Sequence, residues 1–133
     1  MMSREQFDLR NPMKHAVRLG SAKEGTHHFI VQRLSAVALV ILVPWLVWLT
    51  ITLIPADYAT ARATLAQPLH ATLLVAFLLL AFWHARLGLQ VVIEDYVHAA
   101  VPNIIAQLLA WFACSLGALA SLVAVGRILF AAA

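Results

Sequence analysis

A chain of 133 residues that is 63% apolar and only 11% charged lies far from a soluble domain, where about a quarter of residues carry charge and fewer than half are apolar. Its mean hydropathy is +0.89, and its length holds no more than one domain. The net charge of +3 does not mark a nucleic-acid surface, because the basic residues form no patch interleaved with aromatics.

Residues 1–28 read as a polar, basic arm containing Arg4, Arg10, Lys14, Arg18 and Lys23. The arm lacks an apolar stretch of the kind found in a cleavable signal, and Glu5, Asp8 and Glu24 argue against an acid-poor transit peptide. Ser21-Ala22-Lys23-Glu24 has capping-box spacing, with Gly20 and Gly25 on either side limiting any helix there to one turn.

From Leu34 to Ile54 there is no charge, which is long enough to cross a hydrocarbon core that takes about 20 apolar residues. This first span is predicted to begin between Thr26 and Phe29 and to end before Pro55, with Pro44 kinking it. Trp45 and Trp48 lie too deep for a simple interfacial belt and are expected to pack against a neighbouring helix. A short link from Pro55 to Pro68 follows, with Asp57 and Arg62 as its charges.

A second helix is predicted from about Pro68 to about Tyr96. It reaches spanning length only by including His84, Arg86 and Gln90. A third is predicted from Pro102 to about Arg127, and residues 101–126 again hold no charge. Pro68 and Pro102 suit first-turn positions, where a missing N–H costs nothing. In the third span Ala113, Gly117, Ala120 and Ala124 form a small-residue stripe that admits close approach by another helix. Cys114 has no second cysteine to pair with and reads as a small packing residue.

A soluble three-helix bundle needs a polar face on each helix, and the first and third runs have none. The fold class expected is therefore all-α, with three transmembrane helices over residues 29–133 following the arm. Six basic residues precede or open the first span, whereas Arg62 and Arg127 are the two on the other side. By the positive-inside rule the N-terminus lies in the cytoplasm and the C-terminus outside.

A charge at mid-depth costs at least ~2.5 kcal/mol, so polar residues in the spans invite explanation. At 100° per residue, His84, Gly88, Val91 and Asp95 share a stripe of the second span. Gly88 removes bulk one turn from the imidazole, the clearance a flat macrocycle needs. Neutral imidazole is a common axial ligand for haem iron, and equally a partner for a neighbouring helix.

Asp95 and Tyr96 sit at the helix C-terminus, where the macrodipole disfavours anions. They read either as a solvated acid and a belt tyrosine, or as a proton and hydrogen-bond donor pair for a quinone. His27, His28 and Arg33 occupy the same membrane level and would meet lipid phosphates or the propionates of a haem. His70 lies about 21 Å from His84 along the helix and is expected to face water.

The segments His27-His28-Phe29-Ile30-Val31-Gln32-Arg33-Leu34-Ser35-Ala36 and His84-Ala85-Arg86-Leu87-Gly88-Leu89-Gln90-Val91-Val92-Ile93-Glu94-Asp95-Tyr96 resemble the smaller hydrophobic (D-type) anchor subunit of succinate dehydrogenase, respiratory complex II. Leu19-Gly20-Ser21-Ala22-Lys23-Glu24-Gly25 resembles the bacterial members closest to mitochondria. The three-helix plan covers the whole chain, and the telling motifs about 25 residues of it.

The resemblance implies that His84 is one axial ligand of haem b, the other coming from a second, C-type anchor subunit. It implies that Asp95 and Tyr96 stand at a ubiquinone site, Tyr96 donating to a quinone carbonyl oxygen. Arg33, and more loosely His27, match positions near the haem propionates, while His28, Arg86 and Glu94 acquire no role. A bacterial cytoplasmic-membrane protein would follow, without catalysis of its own, docking an iron–sulfur subunit and a flavoprotein subunit and contacting lipid but no nucleic acid. Rival readings are a fumarate reductase anchor, a haem-free structural anchor, and a small oligomeric proton-coupled transporter. The last needs an ionisable residue in its pathway, commonly an acid, and the first and third spans contain none.

Overall fold

The computed structural model describes residues 23–130, all of whose regular structure is helical. The chain divides into two units, residues 1–30 and 31–133. Four helices follow in order: α1 (Lys23–Leu53), α2 (Tyr58–Leu65), α3 (Pro68–Tyr96) and α4 (Ala100–Phe130). Three are long and apolar enough to cross a membrane, over Thr26–Leu53, Pro68–Tyr96 and Ala100–Phe130.

The expected arm lies largely outside the described residues, Ser21 and its capping box included. Within them α1 starts at Lys23, ahead of the predicted Thr26–Phe29. It runs through Gly25, since one glycine costs only about 1 kcal/mol in a long helix, and the helical assignment also continues through Pro44. The second span has the predicted bounds, with Pro68 in the first turn. The third begins two residues earlier than expected, at Ala100. Pro102 is still in its first turn, and Asn103 N–H makes a helical bond to Ala99 O at 3.0 Å.

The first link holds a helix that the hydrophobic pattern did not signal. Asp57, in an extended conformation, accepts from Thr60 N–H at 3.0 Å and so caps α2. The Thr60 side chain, and then its backbone N–H, hold the Asp57 carboxyl below the usual carboxylate range.

Contacts between α3 and α4 climb from Ile93–Asn103 through Gln90–Gln107 to Phe82–Gly117, so the two helices form an antiparallel hairpin. The stripe expected of small residues is used here at Gly117, where an added Cβ would lie 2.7 Å from Phe82 Cζ. Ala113, Ala120 and Ala124 are exposed on this chain. Gly117→Leu therefore overpacks the hairpin and is expected to cost ~1–3 kcal/mol, measured as a lower denaturant midpoint in detergent. An unchanged midpoint would show that Phe82 is not seated on this glycine.

Few side chains are buried within the chain: Leu49, Ala71, Leu87, Val125 and Ser35 among the described residues. The rest of the apolar surface faces outward, as a helix immersed in lipid or in other subunits requires. Membrane-embedded hydroxyls satisfy themselves locally. Thr50, Thr52, Thr72 and Ser121 each donate back to a carbonyl of their own helix, at 2.7–2.8 Å.

Candidate functional site

Ser35 departs from that pattern. It is 4% exposed, the buried polar residue of the described chain, and it links two spans. Its Oγ donates to Gln32 O at 2.8 Å and lies 2.9 Å from Nδ1 of His84, across from α1 to α3. A hydroxyl has one proton to give. With that proton on the Gln32 carbonyl, the contact to the imidazole runs the other way, Nδ1–H donating to a lone pair of Ser35 Oγ. The neutral ring then carries its lone pair on Nε2. That is the tautomer a metal needs, with its other nitrogen held by a hydrogen bond.

One turn further along α3 the helix surface is open. A Cβ placed on Gly88, one turn along α3, would meet nothing within 4 Å. Among the described residues no group of three His, Cys, Asp or Glu could hold a bare ion, so a metal at His84 would need most of its ligands from a macrocycle and another chain. His84 and Gly88 together fit that requirement: one oriented donor, and clearance for a flat group next to it.

About 16 Å further along the axis, Asp95 and Tyr96 end α3, both exposed, with Tyr96 at 78%. The chain gives them a fixed position. Asn103, in the first turn of α4, donates from Nδ2 to Val97 O at 2.8 Å and to Ile93 O at 3.3 Å. Ile93 O also accepts from Val97 N–H at 2.9 Å, and Val97 O lies just past the helix end, so Asn103 clamps the turn from which the acid and the phenol project. One turn deeper, Gln107 Nε2 donates to Gln90 O at 3.3 Å, and Gln90 Nε2 to Glu94 Oε1 at 2.9 Å.

His27 and His28 belong to the first unit and Arg33 to the second. His27 and Arg33 are exposed, while His28 is half-buried and its Nε2 has no partner among the described residues. His70 does not face water as expected. Its ring stacks on Trp45 at 6.0 Å and 24°, with Trp48 at 6.4 Å, and its Nδ1 is buried without a hydrogen bond. The two indoles thus find the neighbour their depth called for. Arg86, with no role in the sequence, places its guanidinium 5.6 Å above the Trp83 ring, a cation–π contact that eases a charge within a span. It lines a cavity of about 210 Å³ with Cys114 and Ser115.

Sequence reading alone missed Ser35 and Asn103. A serine one position before a small residue in an apolar run looks like any membrane serine, and Asn103 looks like a first-turn polar residue. Only the register between helices makes them partners of His84 and of the α3 terminus.

Comparison with known proteins supplies the family. The family model for the succinate dehydrogenase/fumarate reductase transmembrane subunit matches residues 8–124. A succinate dehydrogenase hydrophobic membrane anchor subunit of Rickettsia bellii is 36% identical over 91 residues, 68% of this chain and 73% of that protein. That of Rickettsia conorii is 33% identical over 92 residues, again 68% and 73%. The Paracoccus denitrificans subunit is 33% identical over 85 residues, 64% of this chain and 66% of its own. No solved structure gives a significant match. Three apolar spans and a match over nearly the whole chain make this a multi-pass protein of the bacterial inner membrane that belongs to the succinate dehydrogenase/fumarate reductase transmembrane subunit family.

Proposed function

We propose that the chain is the D-type membrane anchor of a succinate:quinone oxidoreductase, that His84 is an axial ligand of haem b, and that Asp95 and Tyr96 form part of a ubiquinone-reduction site. The observation that carries the reading is the hydrogen bond that His84 Nδ1–H donates to Ser35 Oγ, which leaves the lone pair on Nε2, with Gly88 leaving space one turn along the helix. A packing histidine needs no glycine one turn along its helix.

Haem b, when bound, supplies one-electron redox chemistry between the soluble subunits and the membrane. This chain's residues do the rest of what is assigned to it. His84 offers a fixed lone pair, and Arg33, with His27 as the weaker candidate, offers cations to the propionates. Tyr96 donates to a quinone carbonyl oxygen, and Asp95 passes protons from the aqueous side. The second iron ligand comes from a C-type anchor subunit, and electrons from succinate arrive through a flavoprotein and an iron–sulfur subunit. Catalysis at succinate belongs to those subunits.

The six-to-two asymmetry of basic residues across the spans sets the N-terminus and the Tyr96 end inside, facing the soluble subunits. Reporter fusions at residue 1 and at Ala133 should therefore read inside and outside respectively, and an externally accessible N-terminus overturns the orientation. The reading as a whole is tested by the optical spectrum of the purified complex. A sharp b-type band on reduction by succinate is expected, and a complex with full subunit content and no such band removes the haem assignment.

A further inference from the structure

Between α3 and α4, at mid-span, Arg86 lines a cavity of about 210 Å³ together with Trp83, Trp111, Ser115 and Ala118. It lies ~15 Å along the helix from Tyr96 and ~27 Å from Pro68. Its guanidinium sits 5.6 Å from the centre of the Trp83 ring, three residues earlier. The side chain therefore runs back toward the start of α3, the way helix side chains lean, and away from the nearer surface. An arginine that escapes to the headgroups does the reverse.

The face of Trp83 attracts the cation, but the ring is neutral and leaves the guanidinium N–H donors in need of acceptors. Among the described residues Arg86 makes no hydrogen bond and no ion pair. A cation within hydrocarbon is stabilised by an opposite charge brought equally deep. A lipid phosphate stays at the surface, behind the direction in which the side chain runs. A quinone carbonyl reaches this depth but carries no charge. The propionates of a haem held at His84 lie on the other side, because two residues turn an α-helix by roughly 200°. A second copy of this chain has no acid to offer at mid-depth, since residues 34–54 and 101–126 are uncharged and Glu94 and Asp95 stand at the end of α3.

What remains is a carboxylate on a helix of a different chain. Ser115 and Ala118 are small and let such a helix come close, while Trp83 and Trp111 shield the pair from lipid. We propose that this groove seats a transmembrane helix of another subunit, whose Asp or Glu side chain pairs with Arg86. The contact rests on the membership of a multi-subunit complex given by the proposed function, and is independent of its haem and quinone assignments.

The test uses the whole purified complex. A benzophenone side chain in place of Trp111, which is exposed in the groove wall, is photolysed in the assembled complex, and the cross-linked peptide is sequenced by mass spectrometry. A transmembrane peptide of another subunit that contains Asp or Glu is expected. Arg86→Gln should raise the rate at which detergent strips this chain from the complex at least about tenfold, because the partner acid is left buried and unpaired. Replacing that acid by its amide as well removes the orphan charge, so the double variant should be stripped more slowly than either single one. Cross-links to lipid alone, to a second copy of this chain or to a peptide without an acid overturn the proposal. So does wild-type stripping of Arg86→Gln, or additive losses in the double variant. If Arg86→Gln fails to assemble, the peptide cross-linked in the arginine-containing complex decides by itself.

Discussion

Tyr96→Phe is expected to leave succinate oxidation with a soluble dye acceptor near the wild-type rate while quinone reduction falls at least about tenfold, the equivalent of ~1.4 kcal/mol. The substitution keeps the ring and removes one hydroxyl. That hydroxyl makes no hydrogen bond among the described residues and the side chain is 78% exposed, so folding has little to lose. The helix end that presents it is secured by the Asn103 side chain on Val97 and Ile93, which the variant leaves alone. Reducing a quinone takes up two protons and passes through charged oxygen species. A donor already aimed at the developing oxyanion contributes ~2.7–4 kcal/mol in favourable cases, so tenfold is a conservative floor. Asp95→Asn removes the proton relay and not the phenol. It should show the same split between dye and quinone, with a changed pH dependence. Wild-type quinone rates in both variants would place the pocket wholly on the other subunits.

His84→Ala is expected to abolish or spectrally alter the haem of the assembled complex, whereas His70→Ala leaves the spectrum unchanged. The two imidazoles separate by environment. One ring has Nδ1 held by Ser35; the other is stacked on Trp45 beside Trp48. Ser35→Ala provides the finer measurement. It keeps the ligand and deletes the group that fixes its tautomer, and loss of such an outer partner typically costs 10–100-fold in metal affinity or activity. The haem of that variant should be retained less firmly, with a shifted reduction potential and altered low-spin signals. Ser35→Thr, which restores a hydroxyl, should recover them. A spectrum for His84→Ala identical to wild type removes His84 as ligand, and identical potentials for Ser35→Ala and wild type reduce Ser35 to a packing residue.

How far the sequence reveals these features depends on whether they are local. The second span, Pro68 to Tyr96, is legible to the residue because a first-turn proline and the end of an apolar run mark it from within. The three spans and the family resemblance follow from long apolar runs and about 25 motif residues. The helix α2 escapes notice because it is eight residues long and capped by a single aspartate, a pattern common in loops that are not helical. His70 is misjudged for a different reason. Its position near the end of a span implies water, while its surroundings depend on Trp45 and Trp48, more than twenty residues away in sequence. Ser35 and Asn103 likewise acquire meaning only from the rotation of one helix against the next. No periodicity within a helix encodes that rotation.

The clamp between α3 and α4 bears on how the chain enters the membrane. A ribosome delivers α3 before α4, so for a time the Ile93 and Val97 carbonyls lack Asn103, and Arg86 lacks the wall of α4 that carries Cys114 and Ser115. An arginine near the centre of a lone helix resists insertion by ~2.5–3.5 kcal/mol, and α3 is also the span that borrows His84 and Gln90 to reach full length. The third span is more apolar than the second and is free of charge until Arg127. Insertion of the second and third spans as a pair would spare that cost, the greasy helix carrying in the polar one.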